Sequence, residues 1–271
     1  MERVPAGDMA RVAALLRGLE HHLALVAILQ GRIEAPVYVD RLERPTLAFT
    51  WTQHRAFVGG ALSSPGGGGA LRSLLERDVW PRVCAAGDGV LVFHDASDGS
   101  ALLRALAPYR PKRYQRDHYA LRDLGSSVAS PMPEGYTLRA VDAGLLADAK
   151  LSGREALREE MLSERPGVAA FLEQSFGVCA LQGSAIVGWC LSEYNTTDRC
   201  EVGIATAEGH RQRGIATAMT GALVAMARDR GLSEIGWHCW TSNVPSAATA
   251  RAAGFAYERS YPVVVAFAGE A

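Results

Sequence analysis

The residue types and spacing that could do chemistry here are two carboxylates and a short arginine- and glycine-bearing loop. From Glu201 the chain runs through an apolar, β-leaning stretch into Glu208-Gly-His-Arg-Gln-Arg-Gly214, and a helical pattern comes directly after it. Backbone N–H groups at a glycine-bearing turn and at the open first turn of a helix form an anion site. Arg211 and Arg213 add positive charge beside it, so the segment suits a pyrophosphate held without a metal. Glu201, near the start of the strand that ends at this loop, is the first candidate for a general base. Glu193, at the end of the preceding strand, is the rival.

These residues need strands and helices to position them, and the flanking sequence supplies both. Ile215, Met219, Leu223 and Met226 recur at helical spacing and predict one apolar helix face, with Gly231 as its stop. Residues 234–240 read as a short aromatic strand and 241–246 as a turn with helix-capping chemistry. An alanine-rich helix over 246–253 ends at Gly254-Phe255, and a final strand spans about 256–268. Upstream, residues 176–181 and 185–193 flank Gln182-Gly-Ser184 as a hairpin. Residues 136–140 read as a strand, and 143–174 as two helices broken near Pro166.

Arg211-x-x-Gly214-x-Ala216, this element order and the Asn243…Gly254-Phe255 ending together resemble the GNAT N-acetyltransferase superfamily. Trp237-x-x-Trp240-x-x-Asn243-x-x-Ser246, and Phe176-Gly-Val-Cys-Ala-Leu with Trp189-Cys-Leu-Ser-Glu193, are similar to its zwittermicin A resistance branch. The resemblance covers residues 135–268. It implies an α+β GNAT fold in the C-terminal half, a mixed, mostly antiparallel sheet flanked by helices. It also implies a smaller α/β domain before it, which reads loosely as an eroded GNAT-like half.

The implied activity is transfer of the acetyl group of acetyl-CoA to a primary amine of a small molecule, directly in a ternary complex, in antibiotic or self-resistance. A non-catalytic acyl-CoA-binding sensor or scaffold is the other reading. The resemblance assigns Ile204, Ala205 and Thr206 to the pantetheine arm. It places Arg211, Gln212, Arg213, Gly214, Ile215, Ala216 and Thr217 around the pyrophosphate. Asn243, with Ser246 beside it, matches the family asparagine that bonds the donor arm, and it reads equally as a helix cap. Many relatives carry a tyrosine acid where this chain has Ala250. Tyr257, Ser246, Ser242 or water could take its place, or the thiolate leaves unassisted. Glu201, Glu193 and Tyr257 therefore form the candidate catalytic set.

Composition sets the outer limits. The chain has 271 residues, a net charge of −1, 48% hydrophobic and 21% charged residues, as expected of a globular protein. That balance gives no electrostatic case for nucleic acid or an anionic membrane. The longest aliphatic run, residues 23–29, is far short of a membrane span, and the N-terminus lacks the pattern of a signal peptide. Cys84, Cys179, Cys190, Cys200 and Cys239 contain no C-x-x-C pair, and neither a disulfide framework nor a metal site is expected. A cytoplasmic monomer or homodimer is the resulting expectation.

The N-terminal half shows no chemistry of its own. Asp8 is placed to cap a helix bearing Met9, Val12, Leu16 and Leu19. Strands are expected over 36–41, 46–53, 56–62, 89–94 and 113–121, and helices over 71–79 and 99–106. Residues 23–31 fit helix or strand. Ser63-Ser-Pro-Gly-Gly-Gly-Gly69 lies between strand and helix but lacks a Lys-Ser/Thr ending, and reads as a flexible turn. The expected domains are 1–124, a linker at 125–134, and 135–271.

Overall fold

The computed structural model describes residues 1–5, 8–83, 89–94, 99–125 and 130–267. The chain divides into two units, one of Met1–Arg116 with the C-terminal segment from Ser260, the other of Asp117–Arg259. Chain direction in the first unit gives β1 (Glu2–Arg3), α1 (Met9–Leu16), α2 (Leu23–Leu29), β2 (Val37–Val39), β3 (Leu47–Thr52), β4 (Arg55–Gly60), α3 (Gly67–Leu74), α4 (Trp80–Val83), β5 (Gly89–His94) and α5 (Gly99–Ala105). Strand β6 (Lys112–Leu121) begins in this unit and ends in the second.

The second unit continues with β7 (Thr137–Ala140), α6 (Ala143–Ala147), α7 (Arg154–Glu164), α8 (Val168–Gln174), β8 (Gly177–Gln182), β9 (Ala185–Glu193), β10 (Arg199–Thr206), α9 (Ile215–Asp229), β11 (Glu234–Trp240) and α10 (Val244–Ala252). The last strand, β12 (Ala256–Phe267), starts in the second unit and finishes in the first.

In the first unit the strand order is β1-β2-β3-β4-β5-β12. All the pairings are antiparallel except β4 with β5, which run parallel over Arg55↔Leu91 to Val58↔His94. Leu47, Phe49, Val58, Leu71, Leu74 and Leu102 make its core under α3 and α5. Residues 23–29 resolve as helix. Asp8 precedes α1 without a side-chain capping bond. The glycine run departs from the flexible turn expected of it, because Gly67–Gly69 form the first turn of α3. Gly66 enters at φ +86°, and the Gly67 N–H bonds to the Ser64 carbonyl.

In the second unit the order is β12-β6-β11-β10-β9-β8-β7. β7, β8, β9 and β10 pair antiparallel in succession, and β10 with β11 is parallel. This sequence of pairings repeats that of β1-β2-β3-β4-β5. Apolar residues alternate along the strands, so each sheet face has its own core. Val202, Ile235, Trp237 and Cys239 pack with Ile215, Met219, Leu223, Ala247 and Ala250 of α9 and α10. Cys179, Leu181 and Leu191 pack with Leu145, Leu157, Met161 and Phe171 of α6, α7 and α8 on the other face.

The residues expected as a linker, 125–134, fall inside the second unit's span, and 126–129 lie outside the described residues. Two helices were expected over 143–174 and three form. The break at Pro166 is there, and a second comes at 148–153, where the Ser152 N–H bonds to the Ser184 carbonyl and the Ile186 N–H to the Ser152 carbonyl.

Candidate active site

The parallel ladder between β10 and β11 is short. It holds Arg199↔Glu234, Cys200↔Ile235 and Glu201↔Gly236, whereas β10 stays paired with β9 as far as Thr206↔Gly188. Past Glu201 the sheet therefore splits, and the β10 backbone over residues 202–206 has a ladder on the β9 side alone. An extended polar chain can pair with such an edge. Ile204, Ala205 and Thr206 lie on it and are half-buried.

The split leads to the loop. A short turn at Glu208–His210 comes after β10, and then the backbone takes left-handed values at Gln212 (φ 60°) and Gly214 (φ 81°). Gly214 precedes α9, whose first intrahelical bond runs from the Ala218 N–H to the Gly214 carbonyl. The N–H groups of Ile215, Ala216 and Thr217 lie ahead of that bond at the positive end of a 15-residue helix. Among the described residues a Cβ at Gly214 would have only Pro133 within 4 Å, at 3.9 Å, so the loop leaves room at that position. Arg211, Gln212 and Arg213 are exposed. The Arg211 Nε donates to the Thr206 carbonyl at 3.0 Å, and His210 Nδ1 shares a 2.9 Å hydrogen bond with the Tyr136 hydroxyl. Both contacts fix the loop's shape. Its backbone donors and guanidinium groups fit a pyrophosphate, and the strand edge behind it fits an amide-bearing arm.

At the root of the split sit the two carboxylates. Glu193 and Glu201 are direct cross-strand partners and are 7% and 4% exposed. Glu201 Oε1 lies 3.5 Å from His238 Nε2. His238 comes after Trp237, and the strand alternates. Trp237 enters the α9–α10 core, while His238 faces Glu201. Immediately after Glu193, Tyr194 is buried at φ 46°, a conformation costly for an aromatic residue.

Other expected site residues fall on the α10 side. Asn243 caps α10, its Oδ1 accepting from the Ser246 N–H at 3.1 Å, and the Ser246 hydroxyl accepts from Trp237 Nε1 at 3.0 Å. Ala250 is fully buried in the core. Tyr257 is 55% exposed, edge-on to Tyr119, which belongs to that same core. Tyr257 thus sits on the α9–α10 face and the carboxylates of Glu193 and Glu201 on the opposite one. Sequence reasoning missed the partnership of Glu201 with His238, because the parallel register that brings them together is long-range.

The buried thiols are chemically quiet. Burial pushes the Cys179 thiol up to about 11 and Cys190 and Cys200 further still, so all three stay protonated as small apolar residues. Among the described residues no group of three or more His, Cys, Asp or Glu is placed to hold a metal ion. None of the described helices is long and apolar enough to cross a membrane.

The GNAT acetyltransferase family model matches residues 13–264, and the chain belongs to that family. An uncharacterised N-acetyltransferase of Bacillus subtilis (strain 168), YdfB, is 25% identical over 166 residues, 61% of this chain and 57% of that protein. The match therefore spans little more than half the length of this relative. Among solved structures, a GCN5-related N-acetyltransferase-like protein from Streptococcus suis 89/1591 superposes with a TM-score of 0.73 at 20% identity, covering 96% of this chain and 98% of that one. A GCN5-related N-acetyltransferase from Sphaerobacter thermophilus gives 0.66 at 19%, covering 97% and 94%. A tandem GNAT protein from the clavulanic acid biosynthesis pathway gives 0.61 at 14%, covering 100% and 98%. At these identities the likeness is one of fold, and it extends over both units.

Proposed function

We propose that the chain is an N-acetyltransferase that moves the acetyl group of acetyl-CoA to a primary amine of a small molecule by direct transfer. The observation that carries this reading is the split sheet, with buried carboxylates at its root and an open, glycine-capped helix start at its outer end. Acetyl-CoA, when bound, supplies an acetyl group activated as a thioester. The N–H groups of Ile215, Ala216 and Thr217, with Arg211, Gln212, Arg213 and Gly214, would hold its pyrophosphate. The strand edge at Ile204, Ala205 and Thr206 would pair with its arm, and Asn243 and Ser246 line the approach from α10.

An amine must lose a proton to attack, and Glu201 is the group we assign to take it, with Glu193 as its cross-strand neighbour. The opposite placement of Tyr257 and the carboxylates suits a reaction in which the amine enters on the carboxylate face and the thiolate leaves on the α10 face. Tyr257 or the Ser246 hydroxyl is then available to protonate the departing sulfur. A thiol is a fair leaving group, with a pKa near ~8.5, so the buried Ala250 does not preclude turnover. The tryptophan- and asparagine-bearing motif of β11 and α10 supports the narrower inference of a resistance-type acceptor of the zwittermicin A kind.

Thiol release from acetyl-CoA across a panel of small amines tests the reading. At least one amine should stimulate release, and Glu201→Gln should lower turnover by roughly 10²–10⁴ with acetyl-CoA affinity nearly unchanged. Glu193→Gln giving the large loss instead would transfer the base role to Glu193. Tight binding of acetyl-CoA with no release on any amine would favour a sensor or scaffold, the reading to which the missing tyrosine at Ala250 lends weight.

A further inference from the structure

One face of the second unit's sheet carries a row of ionisable side chains that donor binding does not use. Glu193, Glu201 and His238 come from three adjacent strands, β9, β10 and β11. His118 of β6 lies flat against His238, with ring centroids 4.4 Å apart and an interplanar angle of 11°. Glycines make the room for this row. A Cβ at Gly203 would collide with the Glu193 carboxylate, and one at Gly236 would stand 3.4 Å from Glu201 Cγ and 3.5 Å from His118 Nε2.

The row sets a charge problem for Glu201. Burial and a like charge on the facing strand each push a carboxyl group toward its protonated form, and a protonated Glu201 cannot act as a base. Two arginines of the neighbouring strands are engaged with other carboxylates. Arg122 pairs with Glu234 at 2.7 Å and Glu258 at 2.6 Å, and Arg199 lies 3.8 Å from Glu234. His118 is withdrawn from charge as well. Burial, helped by Arg259, Arg122 and Arg199 against the opposing pull of Glu258, lowers it to about 4. His238 faces the Glu201 carboxylate directly: its Nε2 lies 3.5 Å from Glu201 Oε1, with the two side chains 4% and 5% exposed.

We propose that His238 is a positioning residue that holds Glu201 in its carboxylate form, ready to receive the proton of the acceptor amine. The inference rests on the general-base reading of Glu201. In the transfer the proton leaves the ammonium nitrogen for a Glu201 oxygen and passes on to solvent. His238 keeps its own proton throughout and acts only through the carboxylate.

The test is the pH profile of kcat at saturating acetyl-CoA and amine, for wild type and His238→Gln. Glutamine keeps an N–H near the Nε2 position and cannot become cationic. The acid limb should move up by about one to three pH units. The loss of turnover should shrink as pH rises, and the KM for acetyl-CoA should stay within about twofold. An equal loss at every pH, or no loss, would overturn the proposal. A second measurement stands if His238→Gln fails to fold: the His238 imidazole titration by NMR in the full chain. Its midpoint should fall by about a unit or more in Glu201→Gln, and an unmoved midpoint would contradict the pairing. If Glu201→Gln retains turnover, the general-base reading fails. If Glu201→Gln is impaired while the His238→Gln acid limb stays in place, the positioning role alone fails.

Discussion

Burial holds the His118 imidazole at about 4, well below its ordinary 6.5, and this residue links protonation to stability. Between those two values the unfolded chain binds a proton that the folded chain does not. Stability therefore rises with pH across the window, and the contribution is complete above about 6.5. We expect His118→Gln to flatten the slope of unfolding free energy between about pH 4.5 and 7, by on the order of 2–3 kcal/mol. Urea midpoints at the two pH values measure it, and an unchanged slope would contradict the assignment. Glu193 and Glu201 were legible in the sequence, because both mark strand ends next to a recognisable loop. Their surroundings were not. Nothing local says that Glu201 faces Gly236 rather than a side chain, or that His118, more than a hundred residues from His238 in sequence, stacks on it.

Elements with a strong local pattern are where sequence and structure agree residue for residue. β9 and β11 span Ala185–Glu193 and Glu234–Trp240, as alternation and bounding turns indicate, and α9 starts at Ile215 as its apolar stripe requires. Helices α6 and α7 part because Ser152 bridges to Ala185 of β9, a tertiary pairing that overrides a continuous helical pattern. At the start of α10 the sequence left two roles open for Asn243, and the capping bond from the Ser246 N–H supplies one of them. Asn243→Asp separates them, since it keeps a capping acceptor and removes the amide donor. We expect the melting temperature to hold and the coenzyme A affinity to fall several-fold. Unchanged affinity in Asn243→Asp would confine Asn243 to its cap, and Asn243→Ala should then cost about 1 kcal/mol of stability alone.

Across the whole molecule, two units repeat the same succession of strand pairings, yet the chain passes between them inside β6 and inside β12. A proline-rich stretch at 125–134 is the natural place to expect a boundary from sequence, because composition records loops and not which sheet a strand joins. The two units also differ at the ends of the strands that enter their parallel pairs. In the second, β10 ends on an open edge and an arginine-bearing loop. In the first, a Cβ at Gly59 would collide with the Leu15 carbonyl of α1, so helix backbone covers the end of β4. The loop before α3 holds no basic residue, and Arg72 of that helix bonds to the Ala105 and Arg104 carbonyls. From these differences we propose one coenzyme A site per chain, at Gln212–Ala216. Calorimetric titration of the whole chain with acetyl-CoA measures this directly. One site per chain is expected in the wild type and no measurable binding in folded Gly214→Asp, whose added side chain and charge occupy the phosphate position; two sites, or wild-type affinity in Gly214→Asp, would overturn the placement.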